Sequence, residues 1–525
     1  MKKILSLLLL LTLLTACASP AVTLPTQTAT PANLPWWRQA VIYEIFVRSF
    51  NDTNADGIGD FNGITQKLDY LRSLGVTAIW LMPIHPSPSY HGYDVLDYYN
   101  VNPQYGTMDD FKNLLTQAHS RDIRIIIDLV INHTSSQHPW FVDAASSPTS
   151  PYRDWYVWSD TSQGNKWTQT PNGYYYAYFW EGMPDLNYNN PAVTAEAQKM
   201  SAYWLNDIGV DGFRIDAAKH LIEKGPVLEN TAETHTWFKA YNSFIDTTAP
   251  EAYVVGEVAG GGGLLAKSYS NQLKQIFNFE LANAIINSVA GGAKSSLFSG
   301  YTFALNDKPD GDYAIFLTNH DQNRSNSVFK ANDEKARVAA VLLFTAPGTP
   351  FLYYGEEIGM LGQKPDEDIR LPMQWSADPT TAGFTTATPW RAPHASTPTR
   401  NVAAQEADPS SLLNQYRALS SLRRQYKALQ TGSVTLLETS SPYVFAMLRQ
   451  QGSERLLVIV NLSADPQPDV TLSSEPILQN GSYTPQVLYG APTEIAPLTI
   501  AQNQLTGYIP VQQLPPYASI IAILK

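Results

Sequence analysis

Residues 212–220 read Gly-Phe-Arg-Ile-Asp-Ala-Ala-Lys-His, and this stretch decides the fold. Arg214 and Asp216 stand two apart, so on a strand they share one face while Phe213 and Ile215 take the other. The run 210–216 that contains them is otherwise apolar, as strands covered on both faces are. Seven similar runs lie at 41–50, 78–84, 124–132, 253–258, 275–279, 314–319 and 349–354, of which 275–279 has the faintest pattern. Helical periodicity fills intervals between them at 61–74, 107–120, 192–207 and 334–345. Eight strand–helix units of this kind predict the α/β class and a closed (β/α)8 TIM barrel over 36–430.

Strand three is followed by more than fifty residues with no barrel pattern, 133–190, which carry Trp155, Trp158, Trp167, Tyr174, Tyr175, Tyr176, Tyr178, Phe179 and Trp180. A loop so aromatic is expected to fold as an inserted subdomain beside the barrel mouth, most of its rings packing and some free to meet a ligand. From 431 to 525 the pattern changes to short strands at 443–449, 456–462, 486–488, 505–509 and 518–524, which predicts a C-terminal antiparallel β-sandwich.

At the other end, Lys2 and Lys3 precede an apolar run, 4–14, and then Leu14-Thr15-Ala16-Cys17. A basic start, a short greasy stretch and small residues read as a secretory signal over 1–17. The Leu-Thr-Ala-Cys arrangement resembles a bacterial lipoprotein box, which implies lipidation of Cys17 and an extracellular or cell-surface, membrane-anchored location. Residues 18–35 are rich in Thr, Pro and Ala, as a tether is.

The 525 residues are 44% apolar and 11% aromatic, which excludes disorder as the dominant state. A net charge of −12 leaves no basic field for phosphate backbones, so no nucleic-acid partner is expected. Cys17 is the single cysteine, which excludes intrachain disulfides and Cys-rich metal centres. Twelve Trp and 29 Tyr suit a protein that stacks flat apolar faces, as sugar-handling proteins do. A monomer is expected.

Barrel chemistry collects at the carboxyl ends of strands. There strand four delivers Arg214 and Asp216, strand five Glu257 in Val-Val-Gly-Glu, strand seven His320 and Asp321, and strand three Asn132 and His133. Arg214 beside Asp216 is expected to depress that carboxyl's pKa and keep it anionic, as a carboxylate nucleophile requires. Any one of these acids alone would read as part of a structural ion pair; three of them with two histidines at four strand ends read as a site.

The segments DLVINH (128–133), GFRIDAAKH (212–220), GEV (256–258) and NHD (319–321) resemble the four conserved regions of the α-amylase family, glycoside hydrolase family 13. HGYDVLDYYNVNPQYGT (91–107) and MPDLN (183–187) resemble its accessory motifs, and the likeness runs from about residue 36 onward. It implies a retaining glycosidase with Asp216 as nucleophile, Glu257 as general acid/base and Asp321 gripping the sugar ring. It further implies that Tyr93 stacks on the sugar, that His133, Arg214 and His320 contact the nucleophile or sugar hydroxyls, and that Asp128 acts only as support behind them. Lys219 and His220 resemble the leaving-group side of α-1,4-acting amylases. Asp94 and Arg370 instead resemble residues of oligo-1,6-glucosidases that hold a terminal glucose, a mixture found in an intermediate group of secreted or lipoprotein α-amylases. The expected substrates are starch and maltooligosaccharides; α-glucosidase, oligo-1,6-glucosidase or neopullulanase-like activity is the alternative. A non-catalytic glucan-binding protein on the same scaffold is the rival from another class.

The segment DTNADGIGD (52–60) offers oxygen ligands from Asp52, Asn54, Asp56, Asp60 and the Ile58 carbonyl, in the spacing of a calcium loop's first nine positions. Gly63 stands where the twelfth-position Glu would be, so the helix–loop–helix sensor is excluded. The expected occupant is a structural Ca²⁺, with Mg²⁺ the alternative. The resemblance implies a second Ca²⁺ where the inserted domain meets the barrel, on Asn132, Asp185 and the His220 carbonyl, with a further acid from 150–180. Four glycines, 260–263, follow the Glu257 strand and read either as a mobile flap or as a plain solvated loop.

Overall fold

The computed structural model describes residues 34–260, 265–475 and 478–525. The leader, Cys17, nearly all of the tether and most of the glycine run lie outside the described residues. Eight parallel strands form one sheet: β1 (Ile42–Ile45), β2 (Ala78–Leu81), β3 (Arg124–Leu129), β4 (Gly212–Ile215), β5 (Tyr253–Gly256), β6 (Gln275–Ile276), β7 (Ala314–Phe316) and β8 (Thr349–Tyr353). Their order is β7-β8-β1-β2-β3-β4-β5-β6, and a parallel bridge between Phe277 and Ala314 joins the two ends into a barrel. Each strand is shorter than its apolar run, because the run continues into the loop that carries the functional side chain.

Two-residue alternation is hidden inside these buried strands. Ile42, Ala78, Trp80, Ile126, Tyr253, Val255, Phe277, Ala314, Phe316 and Phe351 cluster inside the barrel. Their neighbours Tyr43, Ile79, Ile125, Ile127, Phe213, Val254 and Leu352 belong to the larger core under the surrounding helices. One step of two further along the inner face come Glu44, Asp128, Arg214 and Glu257. An apolar floor therefore lies beneath a charged upper layer. Gly212 opens β4 at φ 153°, where a Cβ would sit 1.9 Å from the Tyr253 carbonyl oxygen, so only glycine permits this strand contact.

The helical intervals hold with local breaks. The 61–74 run is two short helices, Phe61–Gln66 and Leu68–Ser73, divided at Lys67. Met108–His119 has the Thr107/Asp110 capping box, with Asp109 and Asp110 in its first turn. Pro191–Ala202 continues as a π-helical turn, Tyr203–Ile208, and stops at left-handed Gly209.

The inserted segment carries helix Pro139–Ser146 and a three-stranded sheet of Trp158–Ser159, Gly173–Tyr176 and Trp167–Thr170. Phe141, Tyr156 and Tyr175 are buried in its centre, and bridges His133–Asp185 and Tyr156–Leu186 tie its ends together. Phe179 and Trp180 are the aromatic exceptions, 44% and 51% exposed.

The tail forms a seven-stranded antiparallel sheet in the order Pro485–Gly490, Ser519–Leu524, Glu454–Asn461, Val444–Gln451, Ser433–Thr439, Leu472–Ser474 and Leu505–Tyr508. Phe445, Met447, Leu456, Val458, Val460 and Ile521 join the barrel-side core, while Val444, Ala446, Leu448, Leu457, Ile459 and Ile520 face a second core with Leu472, Leu498 and Leu514. Among the described residues no helix is long and apolar enough to cross a membrane.

Candidate active site

Arg214 organises the charged layer. It is 1% exposed, and its Nη1 donates to Asp216 Oδ1 at 2.6 Å and to both oxygens of Asp128 at 3.0 Å. Its Nη2 donates to Glu257 Oε2 at 2.8 Å. One guanidinium thus bridges carboxylates from strands three, four and five, and its plane lies near the rings of Trp80 and Tyr93. The same Glu257 oxygen accepts the Ala217 N–H at 3.1 Å. Ala217 reaches it by adopting φ 48°, a left-handed strain immediately after Asp216.

The second half of the site is built on His320. Its Nδ1 meets Glu44 Oε1 at 2.5 Å, and its Nε2 meets the Tyr93 hydroxyl at 2.7 Å and Asp321 Oδ2 at 3.2 Å. The Tyr93 ring stacks on the imidazole at 5.7 Å, and its hydroxyl donates to Asp128 at 3.1 Å. Arg370 donates from Nη2 to Asp321 Oδ1 at 2.9 Å and from Nε to the His320 carbonyl. Exposure rises from 12% for the Asp216 side chain through 21% for Glu257 to 45% for Asp321, so all three acids open to the cleft while their cations stay behind them.

The electrostatics follow from this sharing. Burial raises Glu257 above its ordinary value, Arg214 opposing and Asp216 and Asp321 reinforcing the shift. Burial also raises Asp216, and Arg214 does not overcome it. The expected depression of Asp216 therefore fails: the guanidinium is divided among three carboxylates. Asp128, fully buried and pushed up to about 7 by burial, holds Arg214 and the Tyr93 hydroxyl from behind the cleft. Burial opposes charge on both members of the second pair. Even so, Asp321 and Glu44 lift His320 to about 9, and His320 and Arg370 hold Asp321 well below the carboxylate range.

The remaining sequence-selected residues surround this centre. His133 is buried beside the Phe179 ring at 5.5 Å, and its Nε2 has no hydrogen-bond partner among the described residues. Phe179 also lies 5.7 Å from the His220 ring. His220 Nδ1 pairs with the Leu228 carbonyl at 2.8 Å. Lys219 Nζ is anchored on the Ala259 carbonyl at 2.6 Å and Glu229 at 2.5 Å, which makes it a strut for the segment after Glu257. Asp94 is 1% exposed, with its two oxygens taken by Ser87 at 2.6 Å and Ser89 at 2.7 Å. Glu44 and Phe179 were not singled out from the sequence. Glu44 had a signal, a lone charge inside an apolar strand; Phe179 was one aromatic among many.

In the 52–60 loop, Asp52 Oδ1 accepts the N–H groups of Asn54 and Ala55, and its Oδ2 accepts those of Gly57 and the Thr385 hydroxyl. Asn54 Oδ1 accepts the Asp56 N–H, and Asp56 Oδ1 that of Ile58. Asp60 caps helix Phe61–Gln66 through the Gly63 N–H and binds Thr53. The side chains of the loop offer hard oxygens, the chemistry Ca²⁺ takes, but among the described residues no three acidic or histidine side chains converge as a metal ion would require.

Comparison with known proteins agrees with this geometry. The model of the α-amylase catalytic domain matches residues 44–432. "Alpha-amylase 3" of Dictyoglomus thermophilum is 44% identical over 441 residues, 82% of this chain and 86% of that protein. An oligo-1,6-glucosidase of Parageobacillus thermoglucosidasius is 34% identical over 516 residues, 82% and 90% of the two chains. The crystal structure of an α-amylase from H. orenii superposes with a TM-score of 0.80 at 39% identity, covering 93% of this chain and 99% of that one. With Asp216, Glu257 and Asp321 gathered around Arg214 and His320 at the barrel mouth, the chain belongs to the α-amylase family of glycoside hydrolases, family 13.

Proposed function

We propose that this glycoside hydrolase cleaves α-1,4-glucosidic bonds within starch and maltooligosaccharides with retention of configuration, and that it acts outside the cell, anchored by lipid on Cys17. The observation that carries the reading is the Arg214 bridge between Asp216 and Glu257. Two carboxylates on the terminal nitrogens of one guanidinium suit the ~5 Å spacing of retaining pairs better than the ~6.5–9.5 Å of inverting ones. Burial raises Glu257 and so favours its protonated form. From that form it gives its proton to the leaving glycosidic oxygen as the Asp216 carboxylate, hydrogen-bonded to Arg214, attacks the anomeric carbon. The glycosyl–Asp216 ester is then hydrolysed by water whose proton passes to Glu257, restoring both acids. Asp321, held anionic by His320 and Arg370, grips ring hydroxyls as positive charge develops on the sugar. His133 offers its unpartnered Nε2 to a further hydroxyl, and Tyr93 provides the stacking face.

Asp94 supports cleavage within the chain. A carboxylate closed off by Ser87 and Ser89 is a poor grip for a terminal glucose, which favours the α-1,4 endo reading over the oligo-1,6-glucosidase alternative. The oxygen-rich 52–60 loop is proposed to hold a structural Ca²⁺ through Asp52, Asn54, Asp56, Asp60 and the Ile58 carbonyl, bracing the mouth without entering the chemistry. Early products from maltoheptaose, panose and pullulan test the bond choice. Mixed short maltooligosaccharides with panose intact are expected; glucose appearing first, from panose as well, would establish the exo-acting alternative.

A further inference from the structure

A cavity of about 370 Å³ lies between the inserted domain and helix Pro191–Ala202, and none of Asp216, Glu257 or Asp321 lines it. The inserted domain contributes rings. Trp140 and Tyr152 are nearly parallel, 20° apart, and Trp155 is set across them at 60° and 78°. All three are half-buried and line the cavity, so a corner of flat apolar faces is built into its wall.

The opposite wall is polar. Glu196 Oε1 accepts the Tyr99 hydroxyl at 2.6 Å and lies 3.6 Å from the Lys199 ammonium, while Oε2 has no hydrogen bond among the described residues. Asp97, from the loop after β2, accepts the Tyr99 N–H at 2.8 Å and the Asn100 amide at 2.6 Å, and each carboxylate oxygen has capacity for one bond more. His138 lines the same cavity and is 3% exposed. Its Nδ1 accepts the Trp140 N–H at 3.1 Å, capping helix Pro139–Ser146. Burial lowers its pKa to about 4, with Asp97 opposing, so the ring is neutral and carries its proton on Nε2. That Nε2–H has no hydrogen-bond partner among the described residues, although an unpaired polar group at such burial is costly.

Aromatic faces set against convergent acceptors and a buried donor are the chemistry of sugar recognition: C–H faces stack on the rings while hydroxyls take the polar groups. Lys199 already neutralises Glu196 and repels a cationic guest. The volume is at the small end of the about 300–1,000 Å³ usual for ligand sites, as a short stretch of sugar requires. We propose, resting on the α-glucan reading of the catalytic centre, that this cavity is a second, non-catalytic glucan-binding site, in which Trp155 and Tyr152 face a glucosyl ring and His138, Asp97 and Glu196 take its hydroxyls. Buried Tyr98 forms the partition from the catalytic mouth, its hydroxyl donating to the His133 carbonyl at 2.7 Å. A glucan held here stays within reach of the mouth, which raises its effective concentration there.

The test counts sugars. Turnover in the full chain is stopped with Glu257→Gln, which leaves substrate affinity in place, and maltotriose is titrated in by calorimetry. Two sites are expected, falling to one when Trp155→Ala is added. Glu196→Ala, on the helix surface, is the parallel variant should Trp155→Ala fail to fold. In the active protein either change is expected to weaken binding to granular starch about tenfold and to leave kcat on maltotriose within about twofold. A single maltotriose site in Glu257→Gln overturns the inference, as do two sites surviving both substitutions. Starch binding unchanged in both variants, or kcat falling as far as starch binding does, overturns it as well. A parent protein that hydrolyses no α-glucan, yet loses one of its maltotriose sites with Trp155→Ala, sinks the catalytic reading and supports this one.

Discussion

Two trios of acids stand at the same end of the barrel and are held in opposite ways. Asp216, Glu257 and Asp321 share partners that cross the barrel: Arg214 joins its strand neighbour Asp216 to Glu257 on the next strand, and Asp321 lies between adjacent His320 and distant Arg370. Asp52, Asp56 and Asp60 take theirs chiefly from their own turn, whose N–H groups point back at the carboxylates. The first arrangement is a set of charges fixed by the whole barrel; the second is a shape fixed by a dozen residues. Long-range partners make acids whose protonation the fold controls, which is what acid–base chemistry needs. Local partners make a brace.

Breaking the first trio should have the largest effect. Asp216→Asn and Glu257→Gln are each expected to lower kcat by roughly 10²–10⁴-fold or more on maltoheptaose while leaving the unfolding temperature near that of the parent protein. If either variant kept most of its rate, the division between the trios would collapse. A pH-dependent effect on stability comes next. His320 titrates at about 9 in the folded chain, above its ordinary 6.5. Its contribution is fully present below pH 6.5 and is lost as pH rises through 9, so the stability gap between the parent protein and His320→Gln should shrink over that window. Its upper bound is on the order of 3 kcal/mol. Asp321 runs the other way: its contribution is present above the ordinary carboxylate range and lost as pH falls through its depressed folded value.

The brace should yield smaller numbers. Chelation, or Asp56→Asn, is expected to lower the unfolding temperature by several degrees and leave the initial kcat within about twofold, since ions that bind only the folded state act through mass action. A large fall in kcat with no change in stability would move that loop into the chemistry. Smallest of all, Ser87→Ala with Ser89→Ala should unlock Asp94 and raise kcat/KM on panose a few-fold relative to maltoheptaose, measured by competition between the two substrates.

The contrast also separates what could be read in the sequence from what could not. Arg214 and Asp216 were legible as one-face neighbours because strand periodicity is local, and the eight apolar runs gave the barrel. Asp216's raised pKa was not legible: burial raises it, and the sequence shows Arg214 beside it but hides both that burial and the claim of Asp128 and Glu257 on the same guanidinium. Glu44 behind His320 joins residues 276 positions apart, and the serines on Asp94 join residues seven and five apart. The two serines were within reach of a local reading, had hydroxyls been weighed as partners for a buried acid.

The tail sheet has a consequence for how the chain comes to its final state. Strand Ser519–Leu524 is a middle strand, hydrogen-bonded to Pro485–Gly490 on one side and Glu454–Asn461 on the other. Its Ile521 packs toward the barrel, and Ile520 and Ala522 pack away from it. The piece synthesised late is therefore the keystone of a sheet whose inner face buttresses the barrel. Until it arrives, apolar surface on both sides stays open to water, so a nascent chain is the species a protease or an aggregate would capture.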